Sequence, residues 1–444
     1  MTQKAPLMIN SYDPTKNLDL DDDLITLIKR RTKTLGPSHR LFYDKPVHFV
    51  RAKGVRMYDE KGQDYLDVYN NVPSVGHCHP RVVEALAQQA AKLNTHTRYL
   101  SDVVLEYAER LLETFPEVLS RVMFTCTGSE ANDAAFRVAR HKTGNAGLIV
   151  TANAYHGITE TVSAASPSLG NGVPVGNHIR LVTLPDIYRT GEQDPEGRFE
   201  RDVQFAIDDL ARHGFGTSAI VMDTIFSSDG VMSHPIGFIC GAVAAVRRAG
   251  GLYIADEVQP GFGRTGEKMW GFQRHGVLPD VVTLGKPMAN GLPLAAVIAN
   301  VETFSKFADN ARYFNTFAGN PVCCAAGLAV LDVLRDEGLQ INALTVGEYM
   351  RHRLKNFAAR DERIGDIRGS GLFIGVDMVT DGVSKEPDQQ IALALVNRLR
   401  ELHVLISSSG KWGNVLKIRP PLPFSMSDTD EFLEKFELAI YGMV

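Results

Sequence analysis

A chain of 444 residues exceeds one ordinary hydrophobic core, so two or more packed units are expected. With 44% hydrophobic and 22% charged residues and a formal net charge of −5, it has the composition of a soluble globular protein and supplies no basic field for nucleic acid. No apolar run approaches the roughly eighteen residues that span a membrane, and five cysteines, two of them adjacent (Cys323, Cys324), make no disulfide framework.

The opening Met1-Thr2-Gln3-Lys4-Ala5-Pro6 is too polar for a secretory signal, and Asp19, Asp21, Asp22 and Asp23 are unlike an acid-poor transit sequence. The expectation is a reduced, cytoplasmic protein. Val47–Arg51, Arg56–Asp59 and Tyr65–Val68, separated by Gly54 and Gly62, read as hairpin strands. From about residue 120, β-rich runs alternate with helical patterns. The runs are Val122–Cys126, Leu148–Thr151, Ile179–Leu184, Ala219–Asp223, Leu252–Asp256, Val281–Leu284 and Ala295–Ala299. Several are apolar at consecutive positions, as strands covered on both faces must be. Ser129–His141 and Ile236–Ala249 are among the intervening helices. This alternation predicts an α/β unit with a mainly parallel seven-stranded sheet. From about Leu328 the chain reads as a long helix, two or three strands and a final helix. We expect a large domain over 70–325 and a smaller, discontinuous α+β domain from 1–69 and 326–444.

Gly76-His77-Cys78-His79-Pro80 resembles half a metal site, but no second cluster has matching spacing, so no metal is expected. Thr127-Gly128-Ser129-Glu130-Ala131-Asn132 follows a strand and opens a helix. Its glycine, hydroxyl and free amides suit a phosphate, although Ser129 also reads as a simple helix cap. In Asn153-Ala154-Tyr155-His156-Gly157, Tyr155 either stacks on a planar ligand or packs a loop. Gly261-Phe262-Gly263-Arg264-Thr265-Gly266 fits a dinucleotide fingerprint, but Glu257–Pro260 separate it from the strand and no long helix plainly follows, so a turn is the better account. Arg419, in Leu416-Lys417-Ile418-Arg419-Pro420-Pro421, is either a clamp for a carboxylate or phosphate or half of a structural ion pair.

The most informative pair is Asp256 and Lys286. Each stands just past an apolar, strand-like run, where ligands gather on parallel sheets. Pyridoxal 5′-phosphate chemistry needs a lysine to form a Schiff base and a carboxylate to keep the pyridine nitrogen protonated. Beside such a lysine, a phosphate cup at Gly128 and Ser129 becomes the better reading of that turn.

The ordered set of Gly128-Ser129-Glu130, Tyr155-His156-Gly157, Asp256-Glu257-Val258-Gln259, Lys286 and Phe314-Asn315-Thr316-Phe317-Ala318-Gly319-Asn320-Pro321 resembles the class III aminotransferase family, fold type I of pyridoxal-phosphate enzymes. The resemblance runs from about Leu41 to the C-terminus. It implies that Lys286 carries the cofactor, Asp256 pairs with the ring nitrogen, Val258 and Tyr155 sandwich the ring and Gln259 contacts its phenolic oxygen. Gly128 and Ser129 would hold the phosphate, helped by Thr316 of a neighbouring subunit. A homodimer with shared active sites is implied.

Within the family, Gly36-Pro37-Ser38, Leu41–Pro46, Asn70-Asn71-Val72, Gly285–Gly291 and Gly365–Gly369 are similar to the ethanolamine-phosphate phospho-lyase branch and its phosphohydroxylysine relative. Transaminases more often carry glycine than Pro287 after the reactive lysine. Where many relatives have Glu-Pro or Glu-Ser plus a glutamine, this chain reads Asp223-Thr224-Ile225-Phe226-Ser227-Ser228, which argues against a glutamate–arginine switch for two substrates. The resemblance implies a lyase releasing phosphate from O-phosphoethanolamine or a related phosphorylated amine. Arg419 is the first choice for the substrate's phosphate, with Tyr43, Asn71 and Val72 nearby. The alternative is an ω-amino acid:2-oxo acid aminotransferase.

Overall fold

In the computed structural model, which describes residues 8–16 and 18–442, seven strands form one sheet in the order Arg121–Thr125, Ala295–Ala299, Val281–Leu284, Leu252–Asp256, Thr217–Asp223, Gly147–Thr151, Ile179–Val182. Met1–Pro6, read above for a leader, lie outside the described residues. Ala295–Ala299 pairs antiparallel with both neighbours, and the other pairs run parallel. The sheet is therefore mainly parallel, as the alternation predicts. Its strands read as unbroken apolar runs because both faces are covered: Gly147–Thr151 and Ala295–Ala299 are buried at every position.

The parallel register sets Asp223 beside Asp256 and Asp256 beside Thr283 at the carboxyl edge. Loops leaving that edge carry the polar chemistry, because the strand interiors are committed to the core.

The hairpin strands form at Phe49–Lys53, Arg56–Asp59 and Asp64–Asp67, and the last pairs in parallel with Val404–Leu405. Chain start and chain end thus share one sheet. A further antiparallel sheet joins Ile364–Ser370, Phe373–Met378, Val415–Ile418 and Ser407–Ser409. This pairing supports the division at about 70 and 325, which we propose as the domain boundary; the helix Pro321–Asp336 runs through the second junction.

Three elements differ from the sequence reading. The helix expected over Ile236–Ala249 begins only at Cys240, because Gly237 takes φ +86°, outside helical space. The long helix expected from Leu328 is two, Pro321–Asp336 and Leu339–Ala358, broken at Gly338 with φ +61°. A further helix, Gln389–Glu401, stands among the C-terminal strands.

Candidate active site

At the carboxyl edge of the large sheet, Gly128, Ser129, Tyr155, His156, Gly157, Asp223, Asp256, Val258, Gln259 and Lys286 line a cleft of about 450 Å³. Seven of these were singled out from sequence; the fold brings them together from segments as far apart as Gly128 and Lys286.

One end of the cleft is the start of the helix Gly128–Thr143. Thr127 caps it, its Oγ1 accepting from the Glu130 amide at 3.1 Å, while Glu130 Oε2 accepts from the Cys126 amide at 2.7 Å. Those bonds leave the amides of Gly128 and Ser129 without intrahelical acceptors. A Cβ on Gly128 would come within 3.1 Å of a Val258 methyl, and one on Gly157 (φ +141°) would strike Ser129 Oγ at 2.4 Å. Both glycines keep this end open while backbones approach closely. Ser129 Oγ also accepts from the Ile158 amide at 3.1 Å, tying the Tyr155–Gly157 turn to the helix start.

Asp256 forms the floor. Its Oδ1 accepts from the Val258 amide at 3.1 Å, and Oδ2 accepts from Asn132 Nδ2 at 3.0 Å and faces His156 Nδ1 at 2.7 Å. Asn132 is held in turn by the Thr283 hydroxyl at 2.8 Å. Asp223, alongside, accepts from the amides of Ile225 and Ser227. Burial, with Asp256 adding to it, pushes the Asp223 carboxyl upward.

Lys286 follows the strand Val281–Leu284 at φ +33°, a conformation few non-glycine residues adopt. Burial, then the charge of Arg419, brings its ammonium down to about 8 against the opposing pull of Asp256 and Asp223. A lysine so placed is a nucleophile and a base near neutral pH. The donor set suits a phosphorylated pyridine aldehyde: free amides and a hydroxyl at one end, a buried carboxylate on the floor, an apolar valine and a tyrosine at the sides, and an amine.

The sequence pattern of the family described as Aminotransferase class-III matches residues 42–440. The chain belongs to this family. Class III aminotransferases depend on pyridoxal 5′-phosphate, and the chain shares their fold type I. It is 40% identical to a Drosophila melanogaster protein named alanine–glyoxylate aminotransferase 2-like, over 92% of this chain and 85% of the relative. It is 38% identical to Caenorhabditis elegans ethanolamine-phosphate phospho-lyase homolog 1, over 90% of each. Among solved structures, a phospholyase from Arthrobacter in complex with phosphoethanolamine superposes with a TM-score of 0.91 at 44% identity, covering 94% of this chain and 99% of that one.

In this member of the class III aminotransferase family, Arg419 lies behind the cleft wall. Its Nη1 donates to Asn71 Oδ1 at 2.5 Å and to Gln259 Oε1 at 2.9 Å, and its guanidinium stands 4.3 Å from the centroid of the Tyr69 ring. Gln259 Nε2 donates to Ser227 Oγ at 2.5 Å, leaving its second hydrogen for the cleft. Among the described residues Arg419 has no carboxylate partner, so the ion-pair reading of this residue does not hold. Tyr43 is buried but does not border the cleft; its hydroxyl donates to Ile406 O at 3.0 Å. Val72 is half-buried near Gly291, and Thr316 is exposed and does not line this cleft.

Among the described residues no group of three or more His, Cys, Asp or Glu side chains is arranged for a metal. His77 instead faces Asp67 at 2.7 Å, and His79 faces Glu337 at 2.9 Å. Sequence reasoning gave no role to His156, Gly157, Asn132 or Asp223. His156, Gly157 and Asn132 stand inside motifs already marked, and Asp223 ends a marked strand. That adjacency was the available signal.

Proposed function

We propose that this enzyme eliminates phosphate from O-phosphoethanolamine or a related phosphorylated amine. For phosphoethanolamine, one water is consumed and acetaldehyde, ammonia and inorganic phosphate are formed. The observation that carries this reading is Arg419, a buried guanidinium without a carboxylate partner among the described residues, bonded to Gln259 on the wall of the cleft that holds Lys286. A substrate reaching from Lys286 toward Arg419 needs an amine at one end and an anion at the other, and phosphoethanolamine has both. The likeness to the Arthrobacter phospholyase and the C. elegans relative supports the same choice.

We assign Gly128 and Ser129 to the cofactor's phosphate, Tyr155 and Val258 to its ring faces, Asp256 to its ring nitrogen, Gln259 to its phenolic oxygen and Lys286 to its aldehyde. Bound there, the cofactor supplies a protonated ring that withdraws electrons from the carbon bearing the substrate nitrogen. Lys286 takes the proton from that carbon, its lowered pKa of about 8 leaving a useful neutral fraction at pH 7. Asp256 faces the ring, held by the Val258 amide, by Asn132 Nδ2 and by its contact with His156 Nδ1. Arg419 offsets the charge on the phosphate as the carbon–oxygen bond breaks, and Asn71 orients Arg419. Tyr43 and Val72 support the substrate end from behind. Thr316 would reach the cofactor of a second copy, and we propose a homodimer with shared sites and a cytoplasmic location.

The second reading, an ω-amino acid:2-oxo acid aminotransferase, is favoured by the name of the D. melanogaster relative. The deciding experiment is phosphate release from O-phosphoethanolamine with cofactor and without a 2-oxo acid. Catalytic release with matching acetaldehyde and ammonia supports the lyase. No release, together with pyruvate-dependent amine transfer, returns the chain to the transaminases.

A further inference from the structure

Away from the cleft, residues 267–275 of the large unit meet the strand Ile364–Ser370 and the helix Leu339–Ala358. Arg274 stands there in a short 3₁₀ turn, Gly271–His275, and is 6% exposed. Its Nε donates to Glu267 Oε2 at 3.2 Å, while Nη1 and Nη2 are both buried without a partner. The other oxygen of Glu267 accepts from the Ser370 hydroxyl at 3.2 Å. None of these residues lines the Lys286 cleft.

The helix brings a second guanidinium to the same place. Leu344, Gly347 and Arg351 share one face of it, at the i, i+3, i+7 spacing. That face is seated closely, since a Cβ on Gly266 would come within 2.6 Å of the Leu344 backbone, and one on Gly347 within 2.0 Å of Gly371 O. Among the described residues Arg351 makes no ion pair, and its Nε is buried without a partner. The charged groups around Arg274 are Glu267, Arg351 and Glu257. Glu257 lies behind the turn, accepting from the amides of Gly271 and Phe272 at 2.7 Å each, and burial pushes its carboxyl up to about 7. His234 neighbours both guanidinia, and burial, then their charge, holds its imidazole below the usual range.

Two guanidinia therefore face one paired carboxylate, Glu267, and a positive charge is left over. An arginine does not shed its proton as a buried lysine can, so a shift in protonation does not remove it. A water molecule would satisfy the N–H groups but not the charge, and an uncompensated buried charge is unfavourable. The burial of Arg274 Nη1 and Nη2 and of Arg351 Nε leaves room for a small ion and not for an organic ester. The Nη1–Nη2 edge of a guanidinium directs its N–H groups in parallel toward one acceptor. We propose that Arg274 and Arg351 bind a small inorganic monoanion, a halide such as chloride, across the seam between the two domains. The site is independent of the reaction performed at Lys286. An ion held there ties the domains together, so its binding is read as stability.

The test follows the Tm of the holoenzyme as sodium chloride replaces sodium gluconate, a bulky anion, at constant ionic strength, in wild type and in Arg351→Met. Both proteins are also crystallised with sodium bromide, whose anomalous scattering locates the ion. The expected result is a saturable rise in the wild-type Tm, with bromide against Arg274 Nη1 and Nη2. In the variant the midpoint should move to a chloride concentration about tenfold higher or more, for the loss of one charge-assisted contact. A Tm that rises alike in both proteins without saturating, or no bromide at Arg274, overturns the site and leaves water there. Bromide at Arg274 without a chloride midpoint in solution marks an adventitious ion only and overturns it too. A midpoint and a bromide position unchanged in the variant remove Arg351 and overturn the paired site. Arg351→Gln carries the same comparison if the methionine variant does not fold.

Discussion

His156 Nδ1 lies 2.7 Å from Asp256 Oδ2, with both side chains buried and the other nitrogen of His156 left without a partner. The contact joins the turn after Gly147–Thr151 to the end of Leu252–Asp256, and Asn132 bonds the same carboxylate oxygen and the His156 carbonyl. Three separate segments therefore converge on one carboxylate. That convergence holds Asp256 in place before any ligand arrives.

Removing the charge of Asp256 tests its assigned role. Asp256→Asn keeps the volume, and kcat should fall by about 10²–10³-fold, the scale of losing one preorganised electrostatic partner. His156→Phe removes only a supporting hydrogen bond, for which about 1.5–3 kcal/mol, or roughly 10- to 100-fold in rate, is expected. Steady-state kinetics of both variants give the ordering. Equal losses would argue against Asp256 as the direct partner of the ring.

Lys286 should react as an unusually acidic ammonium in the apoenzyme. Its lowered pKa means that the neutral amine predominates above pH about 8, whereas an ordinary lysine needs a pH above about 10.4. Limited acylation followed by peptide mass analysis should show Lys286 labelling rise through a midpoint near 8. A midpoint near that of exposed lysines would show that burial and Arg419 do not act on it as described.

Gly157→Ala should weaken cofactor retention while leaving the fold intact. The residue holds φ +141°, and the new methyl would meet Ser129 Oγ. Either the turn or the start of the helix must move, and both border the proposed phosphate end. Equilibrium dialysis against cofactor should give a Kd at least about tenfold higher, equivalent to about 1.4 kcal/mol. An unchanged Kd would place the cofactor's phosphate elsewhere.

Arg419→Ala leaves Asn71 Oδ1 and Gln259 Oε1 without their donor and removes the proposed anion contact. A loss of about 10²-fold or more in kcat/KM for O-phosphoethanolamine is expected, from about 3 kcal/mol for a buried charge-assisted bond. Cofactor absorbance should be retained. Unchanged kcat/KM would remove Arg419 from the substrate site.

Much of the cleft is legible in the chain because parallel strands are buried on both faces and so announce themselves as apolar runs. A polar residue that ends such a run stands at the carboxyl edge whatever the strand order, which is how Asp256 and Lys286 come into view. Gly128 and Ser129 follow from the same rule, read at the start of a helix instead of the end of a strand. The interruptions at Gly237 and Gly338 are harder to see, since a glycine inside an apolar pattern is tolerated in a helix about as readily as it ends one.

Contacts between distant segments have no local signature. Arg419 meets Asn71 across nearly the whole chain, and Asp223 and Asp256 become neighbours only because their strands pair in that register. Whether Arg419 has a carboxylate partner depends on which side chains the fold brings near it, here Asn71 and Gln259. Residue types and strand ends therefore mark the chemistry the chain carries. Charge balance, a sum over everything packed around a group, is settled when the sheets close around it.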